Sequence, residues 1–195
     1  MDYIIYVVDI ESNGLNYIDS DIIELSLYRM SNDSQKTWCI KPPLKSVTDP
    51  NSLRINGHKL EDILHQTKYG KETYQDPGKV LVEIENWIAE DDVTASQRCL
   101  AGQNISFDKI FLEQFWSKNN AADSFPFGRK TIDTLSNEFF MDLCKGQMAE
   151  GYSLKNLTKK YGIVNSKAHS AAADTLATKE VLLKQIDFFK KALSR

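Results

Sequence analysis

The chain has 195 residues, 42% of them apolar and 26% charged, with nine Gly and five Pro; this is close to a soluble globular average, excludes a disordered or fibrous chain, and predicts one domain over residues 1–195. No apolar run reaches the ~18 residues a membrane span needs, and Asp2 ahead of Tyr3–Val8, with no basic segment before it, reads against a signal peptide. Cys39, Cys99 and Cys144 are odd in number and widely spaced, which argues against a disulfide framework or a zinc site and fits a reducing cytoplasm.

Tyr3–Asp9 reads as a buried strand, being short, continuous and rich in Ile, Val and Tyr. Ser12-Asn13-Gly14 turns the chain, and Asp21–Met30 and Thr37–Lys41 are two more strands around the polar turn Ser31–Gln35. Their short spacing predicts an antiparallel meander. Leu44–Lys79 reads as irregular, with one short helix near Lys59–His65. Asp76-Pro77 has the form of an N-cap with proline at the first helical position, and Val80, Leu81, Ile84, Trp87 and Ile88 then follow helical spacing. Gln97–Ala101 is a strand, Phe107, Ile110, Phe111, Gln114 and Phe115 mark a helix, Arg129–Asp133 is a strand and Thr134–Cys144 a helix. Ser153 caps a helix ending near Gly162, and Ala171–Leu193 is a long final helix. Hairpins followed by αβα crossovers predict an α/β fold: a mixed five-stranded sheet, three antiparallel strands and then parallel crossovers, flanked by helices.

Charge is uneven. Residues 1–100 carry 10 basic and 17 acidic side chains, residues 101–195 carry 14 and 10, and Gly151–Ala173 holds Lys155, Lys159, Lys160 and Lys167 with no acid. Two readings stand: a solvated face, or a surface that meets phosphates.

Three places concentrate chemistry. Asp9 and Glu11, two apart on an extended strand, project to the same face; they are either a solvated strand end or a carboxylate pair held ionised by a cation. Asp108 opens the helix after Gln97–Ala101, either as a first-turn acid favoured by the helix dipole or at the same sheet edge as Asp9. Within one helix His169 and Asp174 would lie about 140° apart, so His169 is expected in the loop before the final helix and Asp174 one turn inside it. His58 and His65 read as structural.

These residues match a known pattern. Asp9-Ile10-Glu11 with Gly14-Leu15 resembles the first motif of the DEDD exonuclease superfamily. Asn104-Ile105-Ser106-Phe107-Asp108 resembles the second, and His169 through Asp174, in the form His-x-Ala-x-x-Asp, the third in its histidine version. Ile55-Asn56-Gly57-His58, Asp133-Thr134-Leu135 and Ser153-Leu154-Lys155-Asn156-Leu157 are lesser echoes. The resemblance is to the DnaQ-like proofreading exonucleases, oligoribonuclease and ribonuclease T, and it implies a ribonuclease-H-like fold. Two departures touch no implied metal ligand: Ser12-Asn13 stand where Thr is common, and Gln103 where many relatives have His.

The resemblance implies a 3′→5′ exonuclease of single-stranded nucleic acid, DNA favoured over RNA, releasing nucleoside 5′-monophosphates with two Mg²⁺ or Mn²⁺ ions. Asp9 bridges the ions, Glu11 and Asp174 complete one site, and Asp108 acts through waters on the other. His169 is the implied general base, since an imidazole titrates near neutral pH. Backbone groups of Ser12, Asn13, Gly14 and Leu15 contact the 3′ nucleotide, Leu15 or Phe107 stacks on its base, and Asn104 and Lys167 complete the substrate contacts. The same implication leaves an exoribonuclease, or a catalytically silent nucleic-acid-binding subunit, as the alternatives. Gln185-Ile186-Asp187-Phe188-Phe189 also resembles the peptides that dock on sliding clamps, which would add a clamp or polymerase partner. Against that, Leu182, Ile186 and Phe189 share one apolar helical face.

Overall fold

Alternation along β1 (Ile4–Ser12) sorts its side chains between two layers. Tyr6, Val8 and Ile10 enter the main core, while Val7 enters a second cluster on the opposite face. The computed structural model describes residues 3–65, 68–69 and 72–194. In it β1 is the central strand of a five-stranded sheet, with β2 (Ile22–Arg29) and β3 (Ser34–Cys39) antiparallel on one side. On the other side β6 (Arg98–Gly102) and β7 (Thr131–Asp133) run parallel to it. This is the mixed α/β arrangement expected from the element order. Every residue of β2 is buried, because helices cover both faces.

The even face of β1 packs under α3 (Pro77–Ala89) and α4 (Ile105–Lys118), which contribute Val80, Ile84, Trp87, Phe111, Leu112 and Trp116. Asp76 caps α3 as expected, its Oδ1 accepting the Gly78 N–H at 2.9 Å. The odd face lies under α7 (Ala171–Leu193), whose Leu182 meets Val7, Tyr28 and Ala101. Beside α7 lie α5 (Thr134–Lys145) and α6 (Leu154–Tyr161), the latter closed by Ser153 at its N-cap and left-handed Gly162 at its end.

The stretch Leu44–Lys79 holds the short helix expected near its middle, α2 (Leu60–His65), and two elements that were not expected, the helix α1 (Pro50–Asn56) and a two-stranded ladder of β4 (Lys68–Tyr69) and β5 (Glu72–Thr73). α1 starts on the same Asp-Pro signal as α3, Asp49 accepting the Asn51 N–H at 2.9 Å. It buries only Leu53 and Asn56, so it leaves no periodic apolar trace in the sequence.

One expectation fails. Gln185 is fully buried within α7, donating through Nε2 to the Thr134 carbonyl and to Glu138 Oε2, each at 2.9 Å. A clamp-docking peptide needs an extended, free segment, so the clamp partner is not supported. Of the lysine-rich stretch, Lys160 is paired with acids of α5, Glu138 at 2.7 Å and Asp142 at 2.9 Å, which favours the solvated-face reading at that position. Among the described residues, no helix is long and apolar enough to cross a membrane.

Candidate active site

β1 outruns its parallel neighbour. Its last residue paired to β6 is Val7, so Asp9 and Glu11 project beyond the edge of β6. On the other side Glu11 pairs with Glu24 and Ser12 with Ile22, a register shift that leaves one extra residue on β2 and bends the strand end. Asp9 and Glu11 share the face that α7 covers, and Asp174 in the first turn of α7 joins them. One carboxylate oxygen from each of the three lies within 4.8 Å of the other two.

Asp174 is anchored from both oxygens. Oδ2 accepts the His169 backbone N–H at 3.0 Å and Oδ1 accepts Asn165 Nδ2 at 2.5 Å. The start of α7 is itself pinned to the sheet, where Gln35 Nε2 donates to the Ala172 carbonyl at 2.8 Å. His169 lies in the loop before α7 with φ +69°, a left-handed conformation uncommon outside Gly, and its side chain is exposed. It lines an open cleft of about 410 Å³ with Lys167, Ala168 and Ser170 on one wall and Ile55, Asn56 and Gly57 on the other.

Asp108 reaches the cluster from the other layer. It sits in the first turn of α4, on the even face, and its Oδ1 accepts the Ile10 N–H at 3.1 Å around the end of β1. The turn into α4 is tight. A Cβ on Gly102 would lie 2.7 Å from Ile105 Cδ1, and Asn104 is left-handed at φ +57° with its N–H donated to Asp133 Oδ1 at 2.8 Å. Asn104 is exposed, whereas Phe107 is half-buried against Phe111, with ring centroids 4.8 Å apart. Gln103 bonds the Tyr152 carbonyl and Thr134 Oγ1, each at 2.6 Å, so this departure from the family pattern has a structural role.

Side chains within the loop after β1 hold its shape. Asn13 is fully buried: Nδ2 donates to Ser46 Oγ at 2.8 Å and Thr48 Oγ1 at 3.1 Å, and Oδ1 accepts the Asp21 N–H at 2.7 Å. Its side chain locks the loop, so a contact made at Asn13 falls to its backbone. Ser12 Oγ donates to the Gly14 carbonyl at 2.6 Å, and a Cβ on Gly14 would lie 2.3 Å from Ser20 Oγ, so no larger residue fits without a shift. Leu15 stands 74% exposed at the tip.

Two residues beside the site were given no role in the sequence analysis, although Asn56 stands in the Ile55-Asn56-Gly57-His58 echo. Glu24, in the apolar run Ile22-Ile23-Glu24-Leu25, is buried directly opposite Glu11, where an acid on a strand covered on both faces was the available signal. Its Oε2 lies 3.2 Å from Nε2 of buried His58, whose Nδ1 lies 2.5 Å from Tyr74 Oη, which bears out the structural reading of His58. Asn56 is the second, with its Nδ2 donating to the Ser12 carbonyl at 3.1 Å.

Burial drives the electrostatics. It pushes the Asp9 carboxyl well above the usual range, helped by the charges of Asp108, Glu11, Asp174 and Glu24. Burial and then Glu24, Asp174 and Asp108 push Glu11 up to about 8, and burial chiefly brings Asp108 to about 8 despite the Ile10 N–H. A carboxyl whose pKa is higher folded than unfolded stabilises the fold below its unfolded pKa, near 4, and that contribution is lost as pH rises through the folded value. With EDTA present, the melting temperature is therefore expected to fall between pH 5 and pH 9, and millimolar Mg²⁺ to restore it at pH 9. Circular dichroism melts check this, and a melting temperature that rises over that interval in EDTA would contradict it.

An all-oxygen donor set of three converging carboxylates whose mutual repulsion needs a counter-charge fits a hard divalent cation. The sequence profile of the exonuclease family, RNase_T, matches residues 6–182. Among solved structures, the chain resembles the zinc-bound Escherichia coli exonuclease I complex with single-stranded DNA at a TM-score of 0.71 and 16% identity, covering 95% of this chain and 40% of that one. It resembles a moderately thermophilic exonuclease I from Methylocaldum szegediense at a TM-score of 0.73 and 18% identity, covering 94% and 40%. A product-bound exonuclease I gives a TM-score of 0.70 and 17% identity, covering 98% and 46%. The chain thus spans less than half the length of these proteins, and no curated protein sequence matches it. Such identities speak for the fold alone, a ribonuclease-H-like one; the profile covers most of the chain, carries divalent-metal dependence with it, and shows that this chain belongs to the exonuclease family, a family of nucleic-acid hydrolases.

Proposed function

We propose that residues 1–195 form one exonuclease domain that degrades single strands, DNA in preference to RNA, from the 3′ end to nucleoside 5′-monophosphates. The observation that carries the reading is the convergence of Asp9, Glu11 and Asp174 within 4.8 Å beside the His169 cleft. Exonuclease I, which shares the fold, has been solved with single-stranded DNA and with a dA16 oligonucleotide, and this favours DNA.

Asp9, Glu11 and Asp174 would hold Mg²⁺ or Mn²⁺, and Asp108 would serve a second ion; the chemistry supplied there would be positive charge at the phosphate and a lowered pKa for the attacking water. His169 takes that water's proton as its oxygen bonds to phosphorus. The bond from phosphorus to the 3′ oxygen breaks, and that oxygen leaves with a proton from solvent. The pocket of backbone and Leu15 over residues 12–15 receives the terminal nucleotide, with Asn104 and Phe107 beside it. Lys167, exposed on the cleft wall, meets the phosphate.

A pocket built around a terminal nucleotide predicts that a 3′-OH strand is trimmed while a 3′-phosphate, with more charge and bulk, blocks it. Duplex ends are expected to be cut more slowly, because unstacking costs a few kcal/mol. The test is one gel with 5′-labelled linear DNA, matched RNA, a 3′-phosphorylated strand and a circular single strand, with and without Mg²⁺. Faster loss of RNA would make the enzyme an exoribonuclease, and cutting of the circle at a comparable rate would refute the exonuclease reading.

A further inference from the structure

Glu11 lies one residue before the register shift that ends the regular pairing of β1 with β2. Besides the Asn13 contacts that lock the following loop, a side chain from a separate element bonds the strand end itself. Asn56 is the last residue of α1, and left-handed Gly57, at φ +74°, ends the helix immediately after it. The Asn56 amide is buried, and both of its ends are used. Its Oδ1 accepts the His58 N–H at 3.3 Å, which fixes the orientation of the amide. Its Nδ2 therefore points at the end of β1 and donates to the Ser12 carbonyl at 3.1 Å. The two Nδ2 hydrogens can serve two acceptors at once, the Ser12 carbonyl and the carboxylate beside it.

We infer that Asn56 is a positioning residue for Glu11: it clamps the end of β1 through the Ser12 carbonyl and holds the Glu11 carboxylate turned toward Asp9 and Asp174. Consistent with this, the hydrogen bond from Asn56 favours the ionised form of Glu11 against the burial and the neighbouring acids that oppose it. Asn56 also borders the cleft that holds His169, so one short helix forms a wall of the substrate channel and fixes a metal ligand. The inference rests on the reading of the three carboxylates as a metal site.

Partners that orient metal ligands typically account for ~10–100-fold in metal affinity. The test is Mn²⁺ binding by titration calorimetry, below the melting temperature of each variant, for wild type, Asn56→Ala, Asn56→Leu and Leu53→Ala. Asn56→Leu fills a similar volume without a donor. Leu53→Ala loosens the packing of α1 against Ile23 and Ile63 but keeps the amide. Both Asn56 variants are expected to bind Mn²⁺ at least ~10-fold more weakly, while Leu53→Ala melts earlier and binds as wild type does. Unchanged affinity in the Asn56 variants, or an equal loss in Leu53→Ala, would overturn the inference. A wild-type chain that binds no Mn²⁺ would instead overturn the metal reading. Crystal structures of wild type and of whichever Asn56 variant folds then decide the clamp by themselves: Glu11 is expected to leave the cluster in the variant, and an unmoved Glu11 would refute the role of Asn56.

Discussion

Asp9→Ala is expected to abolish exonuclease activity and Mn²⁺ binding together. Asp9 is the carboxylate on which the others converge. It shares the three-oxygen cluster with Glu11 and Asp174, and it feels Asp108, Glu11, Asp174 and Glu24 at once. Removing it leaves two carboxylates on one side of the cluster and Asp108 alone around the strand end. The same substitution relieves electrostatic repulsion, so in EDTA at pH 8 the Asp9→Ala protein is expected to melt no earlier than wild type. Loss of function with unchanged or raised apo stability is the signature of a site whose carboxylates repel one another until a cation binds. Calorimetric titration with Mn²⁺ and melting in EDTA provide the check. Retained Mn²⁺ affinity would remove Asp9 from the metal site.

The positions of the acids could be read from the sequence to different depths, for physical reasons. Asp9 and Glu11 were legible because a period of two fixes their common face whatever the rest of the chain does. The placement of His169 before α7 and Asp174 inside it followed from helical geometry, and both lie there, joined by the His169 N–H. Asp108 was legible as a first-turn acid after a strand. That it arrives from the opposite layer, bonded to the Ile10 N–H, depends on which face α4 covers, and no local pattern encodes that.

Loops account for most of what was missed. Ser12-Asn13-Gly14 shows in sequence only that the chain turns there; that residues 43–49 fold over the loop and supply Ser46 and Thr48, more than 30 positions away, to bury Asn13 is not locally encoded. The lysine-rich stretch splits for a similar reason. Lys160 faces α5 and its acids, whereas Lys167 lies in the cleft wall, a distinction made by the packing of α6 rather than by composition. Gln185 resembles a docking residue only in the sequence of α7 alone. In the folded protein, Thr134 and Glu138 satisfy its amide.

His169→Asn is expected to lower kcat by ~10²–10⁴, the usual contribution of a general base, while Mn²⁺ affinity stays within about twofold of wild type. The two effects separate because His169 serves the site in two ways. Its backbone N–H holds Asp174 Oδ2 at 3.0 Å, and its exposed imidazole faces the cleft. Position 169 is left-handed at φ +69°. Asn is among the few residues other than Gly that adopt this conformation readily, so the substitution removes the imidazole and keeps the loop and its N–H in place. Asp174 therefore keeps its anchor and the carboxylate cluster keeps its shape. His169→Ala pays the backbone strain that Asn avoids and is expected to lose some metal affinity as well as rate, so the pair distinguishes the two roles. The readouts are single-turnover trimming of a labelled single strand at saturating Mg²⁺ and Mn²⁺ titration of each variant. If His169→Asn loses metal affinity as Asp9→Ala does, or loses less than about tenfold in rate against that general-base range, the imidazole is not the base and its backbone N–H is the whole of its contribution.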